Sequence, residues 1–138
     1  MSESTNPFFE LLREDRRYKL EAYQFVRESL SYAHEVLDLG EPGEKPAKGE
    51  ATSHERHLSG QQLCHAIRRY ALEQYGLMAK LVLNSWGVNA TSDFGEIVYN
   101  LIQINVMKKS SSDHREDFND VYDFDQAFRE EFEISMPD

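Results

Sequence analysis

The stretch 76–109 places the strongest limits on how this chain can fold. Apolar residues recur at helical spacing on both sides of Gly87, and the chain turns polar only after residue 107. This pattern predicts a short helix from Leu77 to Trp86, a glycine turn, a second helix over Thr91–Met107 and then a strand. That order is typical of a helix-turn-helix with a wing, a common shape among small DNA-binding domains.

The second predicted helix nevertheless lacks the chemistry of a DNA-reading helix. Thr91–Met107 contains no lysine or arginine, and its only charged residues are Asp93 and Glu96. Affinity for nucleic acid comes largely from cations that displace counterions at phosphates, so a chain with a net charge of −10 starts at a disadvantage. Apolar residues around much of this helix favour a buried core helix instead.

The composition is that of one soluble domain. With 138 residues, of which 40% are hydrophobic, the chain can build one modest core. Its single cysteine, Cys64, has no partner for an internal disulfide, and the N-terminus lacks the basic and apolar regions of a secretion signal. No apolar run approaches the ~20 residues that span a bilayer. We therefore expect a cytoplasmic protein without membrane association.

We expect a single domain over 1–138, in which composition marks four parts. These are N-terminal helices at 1–39, a flexible loop at 40–57, a helical core at 58–107 and an acidic wing and tail at 108–138. A capping box that begins at Ser59 opens the core. The expected fold class is mainly α (α+β), a compact helical domain with a winged-helix-like helix-turn-helix core and a small C-terminal β-hairpin.

The hairpin is inferred from the segment after Met107. A polar run separates a first strand from a returning strand through Phe118–Phe124. The aromatic residues of this half have two alternative roles. Phe118, Tyr122 and Phe124 either present anchors to a basic partner or cover the core, with the neighbouring acids directed outward.

Four residues of zinc-binding type lie within twelve positions, namely His54, His57, Cys64 and His65. Cys64 and His65 are adjacent on a predicted helix, so their side chains point about 100° apart and are poorly placed to share one ion. No CxxC or HExxH motif supports the site. We therefore expect no metal and no cofactor.

The chain carries no recognisable catalytic motif. It contains no GxSxG, no P-loop and no GxGxxG. An enzyme would have to assemble its site from residues that are distant in sequence, which makes enzymatic activity the weakest of the functional hypotheses.

Several longer strings resemble a known family. HLSGQQL, RRYALEQYG, SDFGEIVYNLI and EDFNDVYDFDQAF are similar to segments of a family of short uncharacterised bacterial proteins restricted mainly to planctomycetes and verrucomicrobia. The resemblance covers most of the chain except 40–56 and the extreme termini. It implies no particular activity and no catalytic residues.

The sequence thus favours a protein-interaction module or adaptor with an acidic surface. Its partner is another protein or a second copy in a homodimer. The residues expected to contact that partner are Trp86, Val88, Phe118, Tyr122 and Phe124. The alternative is a winged-helix-type regulator associated with nucleic acid, which would have to rely on two small basic groups, Arg68 with Arg69 and Lys108 with Lys109.

Overall fold

The computed structural model describes residues 7–37, 58–108 and 114–130, and these residues are mainly helical. They form the α-helices α1 (Pro7–Glu14), α2 (Leu20–Glu35), α3 (Gly60–Tyr75), α4 (Ala79–Ser85) and α5 (Thr91–Gln103). Shorter helical turns lie at Gly76–Met78, Arg115–Phe118 and Gln126–Glu130. Within these ranges, no helix combines the length and apolar character needed to cross a membrane. The predicted flexible loop at 40–57 lies outside the described residues.

Helix α3 begins at the capping box that its sequence predicts. The Ser59 hydroxyl accepts a hydrogen bond from the Gln62 amide at 3.0 Å, and the Gln62 side chain accepts one from the Ser59 amide at 3.0 Å. This reciprocal pair is a capping box, which satisfies two amides that the first turn of a helix leaves unpaired. Gly76 ends the helix with a φ of 56°, a conformation that glycine adopts without steric cost.

Helix α5 is the central helix of the core, as its apolar circumference indicates. Its Phe94, Ile97 and Leu101 side chains are fully buried, and α2, α3 and the Arg115–Phe118 turn all pack on it. The helix ends at Gln103 rather than at Met107. The chain leaves the helix there because the amides of residues 106 and 107 both turn back to the Leu101 carbonyl, and Asn105 takes a left-handed conformation.

The predicted C-terminal β-hairpin is wrong for the described residues, which contain no β-strand. The stretch expected to return as a strand, Phe118–Phe124, instead follows a helical turn at Arg115–Phe118 and contains no strand. Aspartates account for the difference, because their carboxylates cap local turns: the Asp117 side chain accepts from the His114 amide, and the Asp123 side chain accepts from the Gln126 amide. Because the described residues form no hairpin, they do not support the predicted winged-helix-like core, and this part of the chain is mainly helical.

The C-terminal segment, defined here as residues 114–130, lies across α3 and α5. Two glycines allow this close approach. A Cβ atom on Gly60 would lie 2.9 Å from the Asp117 Cβ, and one on Gly95 would lie 2.9 Å from the Phe118 Cβ. The segment therefore packs directly against the helix backbones, and Phe118 is buried between them.

Candidate functional site

The N-terminus of α5 is capped by the side chain of Asp93. One Asp93 carboxylate oxygen accepts from the backbone amides of Asn89 at 2.8 Å and Ala90 at 3.2 Å. The other accepts from the Tyr18 hydroxyl at 2.5 Å. An acid at this end of a helix is also favoured by the helix dipole. The negative charge that argued against DNA recognition is thus used inside the domain.

A polar cluster joins the α1–α2 connection to α5. The Arg17 guanidinium contacts both Asp15 carboxylate oxygens, at 2.7 and 2.9 Å, and reaches Glu96 at 3.3 Å. The side-chain amide of Asn100 donates to the Asp15 carboxylate at 2.9 Å and to the Tyr23 hydroxyl at 3.1 Å. These bonds fasten the connection to the central helix.

The ionisation of this polar cluster does not suit acid–base catalysis near neutral pH. The Arg17 guanidinium holds the pKa of Asp15 well below its ordinary value, so this carboxylate is a weak base. Burial and the bond to Asp93 raise the pKa of Tyr18, so its hydroxyl is a weak acid. A general acid or base works best with a pKa near the working pH. The cluster therefore has the character of a structural clamp.

Three of the five residues predicted to contact a partner belong to the core. Val88, Phe118 and Phe124 are buried, so their surfaces are already used inside the domain. Tyr122 is half-buried, and its hydroxyl donates to the Cys64 carbonyl at 2.8 Å. Trp86 is also half-buried. Within the part of the chain that the structure describes, it is the only one of the five that is neither buried nor tied to the backbone by a side-chain hydrogen bond.

The zinc-type residues are not gathered by the described structure. His54 and His57 lie outside the described residues. Cys64 is fully buried, whereas His65 is exposed and packs its ring against Tyr122 at 5.9 Å. Across the ranges that the structure covers, no group of three histidine, cysteine, aspartate or glutamate side chains could hold a metal ion.

The basic residues of the nucleic-acid alternative lie on two different elements. Arg69 is exposed and Arg68 half-buried on α3, and Lys108 is exposed after the end of α5. Lys109 lies outside the described residues. None of the three described residues belongs to the N-terminal part of α5, where a recognition helix would read bases.

A row of aromatic side chains is formed by residues of α2 and α3 and by the residue that follows α4. We call it the aromatic row, and it consists of Tyr32, Tyr70, Phe25, Tyr75 and Trp86. The ring centroids of Tyr32 and Tyr70 lie 5.0 Å apart, and those of Tyr70 and Phe25 also lie 5.0 Å apart. The centroids of Phe25 and Trp86 lie 5.4 Å apart. Phe25 is buried, and the other four are half-buried, so the row has one face in the core and another toward solvent.

Two carboxylates border the aromatic row. The Tyr70 hydroxyl donates to Glu28 at 3.3 Å, and burial together with that carboxylate raises the pKa of Tyr70. Burial and a hydrogen bond to Glu73 raise the pKa of Tyr32 in the same way. Glu28 and Glu73 are themselves exposed. The row therefore combines partly open aromatic rings with solvent-facing negative charge.

Three large apolar side chains stand in solvent next to this row. Leu77, Met78 and Leu81 are 56%, 53% and 60% exposed, and we call them the α4 patch. Lys80 lies between them in the chain, and its ammonium is paired with Asp125 of the C-terminal segment at 3.3 Å. Sequence reasoning missed this patch, although an apolar triplet at spacings of one and three was visible in the predicted helix.

The chain matches no protein-family model, and neither curated proteins nor solved structures show significant similarity to it. The resemblance to a family of short bacterial proteins therefore stays a prediction. A function has to be argued from the site itself, because a helical fold alone implies none.

Proposed function

We propose that this protein is a protein-interaction module whose main contact surface is the α4 patch, with the aromatic row beside it. The observation that supports the proposal is the grouping of Leu77, Met78 and Leu81 within one turn and the short helix after it. Single exposed apolar side chains are ordinary on any protein, whereas a group of them marks a site of association.

The chemistry of the α4 patch suits a protein partner. Leucine supplies apolar area whose removal from water favours binding, and methionine adapts its shape to an irregular surface. Tyr75 and Trp86 flank the α4 patch in the chain and are half-buried, and aromatic rings are enriched among residues that dominate binding energy.

The charge of the chain favours a different protein over a second copy. Two molecules that each carry −10 repel one another, and three side chains cover far less than the roughly 800 Å² per partner that a stable interface buries. A heterologous partner can extend the contact and bring the complementary charge. A cytoplasmic location remains part of this proposal.

Site-specific photo-crosslinking tests the proposal. A benzophenone amino acid at Leu81 should give a discrete adduct with a second polypeptide in host cells, and the adduct should disappear when Leu77→Ser is added. The matched control carries the same probe at Phe9, which is 67% exposed on α1. Equal adducts at both positions, or an adduct at Leu81 that survives Leu77→Ser, would overturn the proposal.

A further inference from the structure

The aromatic row has the geometry of a surface that receives cations. Ring centroids lie 5.0 to 5.4 Å apart along the path from Tyr32 through Tyr70 and Phe25 to Trp86, and neighbouring planes on this path are tilted by 33° to 53°. Tyr75 packs beside this path, 5.9 Å from Phe25 and 6.1 Å from Trp86. Phe25 is buried, so the rings of the row that reach solvent are Tyr32, Tyr70, Tyr75 and Trp86. An aromatic face carries partial negative charge and attracts a cation held within about 6 Å.

The carboxylates beside the row add to this attraction. Glu28 accepts from the Tyr70 hydroxyl, and Glu73 bonds with Tyr32. A carboxylate offers about four acceptor sites, so one tyrosine leaves most of them available. The arginines on the same helices are Arg27 on α2 and Arg68 and Arg69 on α3. Arg69 lies close enough to Tyr32 to offset part of the rise in the Tyr32 pKa that burial and Glu73 cause.

We propose that the aromatic row binds cationic side chains, arginine above all, of the polypeptide that docks on the α4 patch. Arginine suits the site better than lysine, because its planar guanidinium stacks on rings and donates to a carboxylate at the same time. A phosphate backbone is disfavoured, because Glu28 and Glu73 would repel it.

The two surfaces are continuous along the chain. Tyr75 is the last residue of α3 and a member of the row, and Gly76 alone separates it from Leu77 of the α4 patch. Trp86 follows α4 directly and packs on Tyr75 at 6.1 Å. One segment with apolar anchors and a neighbouring arginine can therefore engage both surfaces, an inference that rests on the function proposed above.

Two helical peptides with the same leucine face test this specificity. One carries arginine and serine on its polar face, and the other carries glutamate and serine. Binding is measured by calorimetry and by the fluorescence of Trp86, the only tryptophan of the chain. We expect the arginine peptide to bind at least about fivefold more tightly at physiological salt, as expected of a few exposed cation–π and ion-pair contacts.

Charge-neutralising variants locate the effect. The double variant Glu28→Gln with Glu73→Gln should remove most of the preference for arginine, while circular dichroism confirms that it folds. Arg69→Gln is the matched control on the same surface. It should leave binding of the arginine peptide unchanged or tighter, whereas a nucleic-acid site would lose affinity for duplex DNA in this variant.

The outcomes separate the two proposals. Equal binding of both peptides that depends on Leu77 and Leu81 would overturn the cation site and leave the interaction module standing. Failure of both peptides to bind would count against the module itself. Sedimentation that shows a dimer broken by Tyr70→Ala would also overturn the proposal, because the row would then be occupied by a second copy.

Discussion

The Thr91 hydroxyl is bonded to the backbone of Phe118, 27 residues further along the chain. It donates to the Phe118 carbonyl at 2.6 Å and accepts from the Val121 amide at 3.1 Å. Thr91 is the first residue of α5 and is fully buried. One side chain thus satisfies two backbone groups of the C-terminal segment and holds that segment on the central helix.

Replacement of Thr91 by valine should therefore destabilise the whole domain. Valine keeps the shape of threonine but leaves the Phe118 carbonyl and the Val121 amide without this partner. An unsatisfied buried group of this kind costs about 1–3 kcal/mol. Urea denaturation followed by circular dichroism measures the change. Thr91→Ser, which keeps the hydroxyl, should lose less than Thr91→Val, and the reverse order would show that the hydroxyl is not what holds the segment.

Gly95→Ala should also destabilise the domain, although alanine has a higher helix propensity than glycine. Alanine normally stabilises a helix by up to ~1 kcal/mol relative to glycine. Here its methyl group would lie 2.9 Å from the Phe118 Cβ, which forces the C-terminal segment away from α5. We expect a net loss of about 1–3 kcal/mol, the usual cost of overpacking.

The control for Gly95→Ala is Ser31→Ala, at an exposed position of α2. It should leave the free energy of unfolding unchanged or raise it slightly, because the position is exposed and alanine has the higher helix propensity. If Gly95→Ala behaved like Ser31→Ala, the close contact with Phe118 would be wrong.

Local signals in the sequence predicted much of the helical architecture. The Ser59–Gln62 capping box and the glycine that ends α3 depend only on neighbouring residues, so they could be predicted directly. The burial of α5 follows from its apolar circumference. The prediction of a hairpin is wrong for the described residues because Asp117 and Asp123 cap turns through their own side chains. The polar run before them also carries no information about strand register.

The candidate site could not be predicted in the same way. Tyr32 and Tyr70 belong to different helices, and only the packing of α2 on α3 brings their rings together. The exposure of Leu77 and Leu81 depends on which apolar residues the rest of the fold covers, and periodicity alone does not tell them from Leu83, which is buried. Of the five predicted contact residues, Trp86 alone belongs to the aromatic row, where it is half-buried.

Asp15 should make the stability of the domain depend on pH in the acid range. A carboxyl with a lowered pKa in the folded protein adds stability above its unfolded pKa, which is near 3.8, and loses that contribution as the pH falls toward the folded pKa. The gap in unfolding free energy between wild type and Asp15→Asn should therefore narrow as the pH falls from about 5 to 2.

Arg17→Gln provides the control for Asp15, because the Arg17 guanidinium is the main cause of the lowered pKa. In this background the effect of Asp15→Asn should depend much less on pH. An equal narrowing of the gap with and without Arg17 would mean that the pair does not stabilise the fold.

Cys64 should be unreactive in the folded protein. Its thiol is fully buried, and burial raises its pKa, so very little thiolate exists near neutral pH and reagents cannot reach it. A disulfide reagent at pH 8 should label the native chain at the rate of unfolding and label it at once in concentrated urea. Thr91→Val should accelerate native labelling, because it destabilises the fold and makes this opening more frequent. Immediate labelling of the native wild type would place Cys64 at the surface and contradict the packing of α3 under Tyr122.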